Sequence, residues 1–181
     1  PDDRKFCVGH SVGALILGMN EDSAVFEKFI FVATQKAFVG NLNVKTKIAS
    51  YLGFGLAQPV FTQILGYFPA HRFGIGESLP KASAYDWRTL ILNKKSTNKL
   101  LEKIPNYSQN LTQKTLVISA EDDSWVTEKG IKTLLSETYP NLQPEFRHLN
   151  ISESAKNEIG HINFFRSFNK NLWKIVLEFF E

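Results

Sequence analysis

The chain has 181 residues, 43% of them hydrophobic and 22% charged, with a net charge of +3. That length suits one domain with a sizeable core, burying roughly 70% of the unfolded surface. The Lys and Arg residues are scattered, with Lys94-Lys95 the densest local pair and no basic tract, which argues against a nucleic-acid-binding protein. No stretch reads as long and apolar enough to span a bilayer, and no signal peptide opens the chain. The single cysteine, Cys7, excludes an internal disulfide and fits a reducing, cytoplasmic setting.

In chain order, polar residues Pro1–Arg4 lead into Lys5–Val8, an expected buried strand. The apolar run stops at Gly9-His10-Ser11-Val12-Gly13, and Val12–Met19 (VGALILGM) then predicts a helix with an apolar face. Phe29–Ala33 (FIFVA) is a second continuous apolar run. Thr115–Ala120 (TLVISA) is a third, followed by an amphipathic helix around Glu128–Thr138, and Glu145–Leu149 (EFRHL) is a weaker fourth. Phe164–Phe180 predicts a closing helix, with Phe164, Phe168, Leu172, Ile175, Val176 and Phe179 at helical spacing. Short apolar runs separated by helices predict a parallel sheet covered on both faces.

Between the second and third runs the character changes. Val44–Phe68 is apolar and helix-like, interrupted by Pro59 and several glycines. GYFPAHRFGIGESLPKASAYDW, rich in Gly, Pro and aromatics, follows, and then a polar stretch to Lys114. A crossover between parallel strands needs far fewer residues, so this segment reads as a cap inserted over one end of the sheet. The expected division is 1–40 for the first part of the core, 41–113 for the cap, and 114–181 for the rest of the core.

A strand that ends in G-x-S-x-G and turns straight into a helix has the form of a nucleophile elbow. The serine sits on a strained, tight turn, and side chains at Gly9 and Gly13 are expected to collide with the neighbouring strand and helix. Ser11 Oγ is then exposed at the carboxyl end of its strand, beside the first amides of the following helix. The Val12 N–H is the candidate oxyanion donor. An acid is sought after the third strand, in ISAEDDSWVT, where Asp123 is preferred over Asp122 and Glu121. The histidine candidate is His161, in EIGHINFF, because His10, His71 and His148 are placed less well for the role. In such a relay His161 takes the Ser11 proton and Asp123 orients the imidazole.

With these residues in place, the chain resembles the α/β-hydrolase superfamily, and within it bacterial predicted hydrolases of the serine aminopeptidase and lysophospholipase-like branch. The resemblance rests on GHSVGA (9–14), GYFPAHRFGIGESLP (66–80) with Asp86-Trp87, DDSWV (122–126), and IGHINFFR (159–166) with Trp173. Ala14 stands where many relatives have glycine, and Thr127 where they often have proline. The resemblance implies a partial α/β-hydrolase fold, α/β/α in three layers, with about four parallel strands and a mostly helical cap. It places the triad on Ser11, Asp123 and His161. Family members carry roughly 100 residues before the elbow, whereas this chain has ten before Ser11. It therefore looks like the C-terminal part of a hydrolase, with the serine strand at an edge. The expected partners are a missing N-terminal segment, or a second copy at that edge, and a small acyl substrate. Catalysis is expected to be impaired, since losing one oxyanion donor costs on the order of a hundredfold.

His10, Tyr67 and Phe68 are the substrate-binding candidates. Tyr51, Phe54, Phe61 and Phe73 either join them in an acyl pocket or form the core of the cap. The expected function is a serine hydrolase cleaving an ester, thioester or small amide through an acyl-enzyme. The alternatives are an acyltransferase on the same triad and a non-catalytic relic that acts as an interaction module. No metal site and no cofactor are expected: the histidines and Cys7 are not at ligand spacing, and GIGESLP (74–80) matches no phosphate-cradling pattern.

Overall fold

Four segments form one parallel sheet, in the order Phe6–His10, Lys28–Val32, Lys114–Ala120, Gln143–Leu149. The structure, a computed structural model, describes residues 4–73 and 76–181. Pro1–Asp3 of the polar start and Gly74-Ile75 of GIGESLP lie outside the described residues. The register pairs Val8 with Ile30, Ile30 with Leu116, and Leu116 with Glu145. The serine strand is paired along one side only among the described residues, as its expected edge position requires. The chain forms two compact units, residues 1–35 with 105–181, and residues 36–104.

In the sheet-bearing unit the two-residue period of a strand sends alternate side chains to opposite faces. Ile30, Val32, Leu116 and Ile118 pack with Leu149, Ile159, Phe164 and Leu172 on one face, against Ile175, Val176 and Phe179 of the closing helix. On the other face Phe29 stacks on Phe31 and Phe31 meets Tyr139, which follows the Glu128–Glu137 helix. That helix is capped by the Thr127 hydroxyl, which accepts from the Gly130 N–H at 3.0 Å. Both faces are covered, and this explains why the second and third strands read as continuous apolar runs.

Two helices are shorter than the sequence suggests. The helix after Ser11 is α-helical only over Val12–Leu15, and tightens to a 3-10 turn over Ile16–Met19. The cause is the buried Tyr139 hydroxyl. It accepts from the Gly18 N–H at 3.1 Å and donates to the Ala14 and Leu15 carbonyls at 2.8 and 3.0 Å, so it stands where the next α-helical bond would form. At the C-terminus only Lys174–Phe180 is α-helical. The stretch expected to precede it is broken into 3-10 turns at Asn163–Phe165 and Ser167–Trp173. Arg166 is extended, and Asn169, at φ −103°, ψ 16°, turns its buried amide onto the Glu158 and Asn163 carbonyls, both at 3.0 Å.

The second unit is built on a continuous 22-residue helix, Val44–Leu65. Its first segment, Val44–Ser50, is capped by the Asn43 side chain, which accepts from the Thr46 N–H at 2.9 Å. Its last, Gln58–Leu65, ends on Gly66 at φ 78°, a left-handed terminus suited to glycine. Pro59 does not interrupt it. The segment between, Tyr51–Ala57, is a π-helix, whose wider turn relieves the clash a proline ring makes with the preceding α-helical turn. By length and composition this helix can cross a bilayer, with a mean hydropathy of 1.2, which corrects the expectation that no stretch is long and apolar enough. A short antiparallel ribbon, Tyr67–Phe68 with Leu79–Pro80, and the helices Lys81–Leu92 and Thr97–Leu101 complete the unit. Its core holds Val39, Leu42, Phe54 and Ile91 in one cluster and Phe68, Ala70 and Ala84 in another.

The phenol of Tyr139 gives the fold a test. Burial pushes it well above the ordinary tyrosine range, so it stays a neutral donor. Tyr139→Phe leaves the Gly18 N–H without its acceptor and is expected to cost about 1–3 kcal/mol, read as a lower midpoint in urea with an unchanged slope.

Candidate active site

The elbow is built by close approach. Ser11 lies at φ 50°, ψ −121°, in the left-handed region that a non-glycine residue enters only when its surroundings hold it there. The Ser11 N–H donates to the Val32 carbonyl at 2.9 Å, and the buried Thr34 hydroxyl donates to the Ser11 carbonyl at 3.1 Å. A Cβ on Gly9 would sit 2.7 Å from the Ala14 Cα, so only glycine fits there. Gly13 differs from the expectation: a Cβ there meets nothing within 4 Å among the described residues. Strain alone does not mark a reactive serine, because Ser96 has almost the same backbone angles, φ 49° and ψ −120°. Its hydroxyl is buried and spent on the Leu90 carbonyl at 2.7 Å.

Ser11 has a different neighbour. His161 Nε2 is 2.9 Å from Ser11 Oγ, and His161 Nδ1 is 2.9 Å from Asp123 Oδ2. The Asp123 carboxylate can only accept, so the imidazole donates from Nδ1 and its Nε2 accepts the serine proton. Asp123 is buried, and its other oxygen accepts from the main chain of Trp125 at 2.8 Å and Val126 at 3.2 Å. These two partners are local to the turn after the third strand and hold the carboxylate from its own loop. The three side chains follow three different strands of the sheet at their carboxyl ends, where loops leave a parallel sheet on one rim.

No protein-family model matches the chain. No curated protein matches it either. Solved structures do. A structure of the metagenome-derived lipolytic enzymes LipS and LipT is 14% identical with a TM-score of 0.53, the match covering 98% of this chain and 65% of that one. A soluble variant of monoglyceride lipase from Saccharomyces cerevisiae, solved with a substrate analogue, is 12% identical with a TM-score of 0.55, the match covering 99% of this chain and 62% of that one. This chain has a partial α/β-hydrolase fold. It spans a little under two thirds of the length of each of these two structures.

Within the α/β-hydrolase fold the remaining candidates find distinct places. Val12 opens the helix after Ser11, so its N–H has no carbonyl a turn earlier to bond. The His10 ring bonds the His161 carbonyl at 2.7 Å and stacks edge-on to Phe165, so it supports the histidine loop. Phe68 is fully buried in the core of its own unit, packed with Phe54 and Phe73. Tyr67 beside it is exposed. Cys7 is half-buried, and burial pushes its thiol up, away from reactivity at neutral pH. Among the described residues no group of three or more His, Cys, Asp or Glu side chains is placed to hold a metal ion.

Two supporting residues, Gln35 and Asn169, lie outside the motifs, and two, Asp122 and Gly160, lie within them. Gln35 is buried, donates to the Trp125 carbonyl, and accepts from the Thr127 N–H at 3.0 Å, bracing the loop that carries Asp123. Asn169 holds the segment before and after His161 through the Glu158 and Asn163 carbonyls. Asp122, the rival acid, accepts from the Ile159 and Gly160 main-chain N–H groups at 2.9 and 2.8 Å. It positions the histidine loop while Asp123 meets the ring. Gly160, at φ 50°, supplies the left-handed turn between them.

The two acids are therefore separable. Asp122→Ala removes two charge-assisted bonds and is expected to lower stability by about 1.5–3 kcal/mol. Asp122→Asn, which keeps one acceptor oxygen, is expected to recover part of that loss in thermal melting.

Proposed function

We propose that the chain carries the nucleophile, base and acid of a serine hydrolase that cleaves carboxylic esters, and by the same chemistry thioesters or small amides, through an acyl-enzyme. The observation that carries this reading is the continuous relay from Ser11 Oγ through the His161 ring to Asp123, at 2.9 Å for each step. Ser11 Oγ attacks the substrate carbonyl carbon while its proton passes to His161 Nε2. The resulting imidazolium stays hydrogen-bonded to the Asp123 carboxylate, and the tetrahedral oxyanion accepts from the Val12 N–H. Collapse breaks the bond to the leaving group, which takes the proton from Nε2 and departs, leaving Ser11 as an acyl ester. A water then enters, gives its proton to His161 Nε2 and attacks the acyl carbon. The second collapse returns the proton to Ser11 Oγ and releases the acid. The lipolytic activity named for the two structural neighbours is in keeping with an ester substrate.

A fluorophosphonate probe tests the proposal directly, because it reports an activated serine without knowledge of the substrate. The expected result is one adduct per chain on Ser11, absent from Ser11→Ala and from His161→Ala. Asp123→Asn holds the imidazole in the wrong tautomer and is expected to slow labelling by about 10⁴-fold. Ser96→Ala is expected to label like the parent. An adduct that persists in Ser11→Ala, or a parent that stays unmodified, counts against the reading.

A further inference from the structure

The outer face of the Val44–Leu65 helix is the largest feature that the proposed chemistry does not use. Val44, Ile48, Leu52, Leu56, Val60 and Ile64 recur every fourth residue, and each is between 55% and 75% exposed. Six such positions do not ordinarily stay on one face. In a uniform α-helix each step of four residues overshoots a full turn by about 40°, and five steps drift by about 200°. In the π-helical segment Tyr51–Ala57, of the same hand, a step of four residues falls short of a full turn and the drift reverses. With about 4.4 residues per turn, it brings the total drift back to about 75°. The π turns thus straighten an apolar stripe that would otherwise wind halfway round the helix. The same turns align the buried face, where Ser50, Phe54, Gln58 and Thr62 meet the core of the unit, and they leave the apolar stripe on the opposite side. The Gln58 amide donates to the Thr62 hydroxyl at 3.1 Å and Arg88 to the Phe54 carbonyl at 3.1 Å.

Charge says what covers the stripe. Residues 36–104 hold ten Lys and Arg against three Asp and Glu, although the whole chain is only +3. No acid occurs between Glu27 and Glu77. At 100° per residue, Lys45 and Lys47 fall on either side of the stripe near its start, with their stems free to lie along it and their ammonium groups beyond it. A second copy would bring the same positive unit against itself. An anionic surface is attracted.

We propose that this helix docks in the plane of an anionic lipid bilayer, with the Val44–Ile64 stripe in the acyl boundary and Lys45 and Lys47 among the headgroups. The helix lies on the membrane and does not cross it, because its inner face is held by the core of its own unit. Apolar burial and attraction to anionic headgroups act together in such interfacial helices. The proposal concerns binding alone and stands whether or not Ser11 is reactive.

The test is flotation of the full chain with vesicles of phosphatidylcholine, with and without phosphatidylglycerol. The chain is expected to float with the anionic vesicles and to be released by high salt. Leu56→Ser is expected to lower partitioning roughly tenfold, and Lys45→Glu with Lys47→Glu by roughly fivefold or more per lysine. Leu56 and Lys45 are exposed and Lys47 is half-buried, and unchanged thermal melting and unchanged probe labelling of Ser11 show that the variants fold. Failure of the parent to bind anionic vesicles overturns the proposal, and so does binding that Leu56→Ser leaves intact. A concentration-dependent dimer that Leu56→Ser dissolves, without vesicle binding, assigns the stripe to a second copy and also overturns it. A parent that binds anionic vesicles but is not labelled at Ser11 counts against the hydrolase reading and leaves this one standing.

Discussion

The approach of Gly9 to the backbone at Ala14 is the contact on which the site depends. It lets the chain leave a strand and enter a helix within one residue, Ser11. That strand is only half-buried, not buried as its apolar sequence predicts, because it is paired along one side among the described residues. A Cβ at position 9 would have to displace main chain, and the serine would move with it. The strained conformation that results is held from outside the turn, by the Val32 carbonyl below and the Thr34 hydroxyl beside it. The second strand thus helps to fix Ser11 through the Val32 carbonyl. Ser96, with almost the same backbone angles, spends its buried hydroxyl on the Leu90 carbonyl, so the backbone conformation alone does not single out Ser11.

The parallel sheet solves the problem of assembly. Loops leaving the carboxyl ends of neighbouring strands emerge on one rim, so residues 112 and 38 positions apart in the chain meet without further design. The rim alone gives proximity but not aim. Aim comes from a layer of side chains that hold backbone: Gln35 on the acid loop, Asp122 and Asn169 on the histidine loop, His10 on the His161 carbonyl. Each satisfies polar main chain that a loop cannot satisfy by itself. These bonds keep the imidazole within reach of both partners at once.

The other unit spends its irregularity differently. Its π-helical turns accommodate Pro59 and at the same time align exposed apolar residues over the length of the helix. Its excess of positive charge is masked in the whole-chain balance by the acids of the sheet-bearing unit. A net charge near zero can hide two regions of opposite sign, and interaction follows the local field.

Local sequence determined the parallel strands, the elbow and the helix of Glu128–Glu137, because each is written in short-range terms: apolar runs, glycines where a chain must pass close, and a threonine cap. The preference for a relay through Ser11, one acid of the 121–123 run and His161 also followed from strand order. What the tertiary structure decided lies where distant residues compete for one backbone group. Asp122 and Asp123 are adjacent and chemically alike, and only the placement of the Ile159–Gly160 main chain separates their partners. The helix after Ser11 has an unbroken helical pattern, yet a phenol more than a hundred residues away takes its Ala14 carbonyl. Asn169 likewise ends a pattern of good helical spacing because two carbonyls near His161 need a donor. Periodicity records which face of a segment is buried. It carries no record of which far-off donor or acceptor reaches that face, and that is settled only when the chain has folded around it.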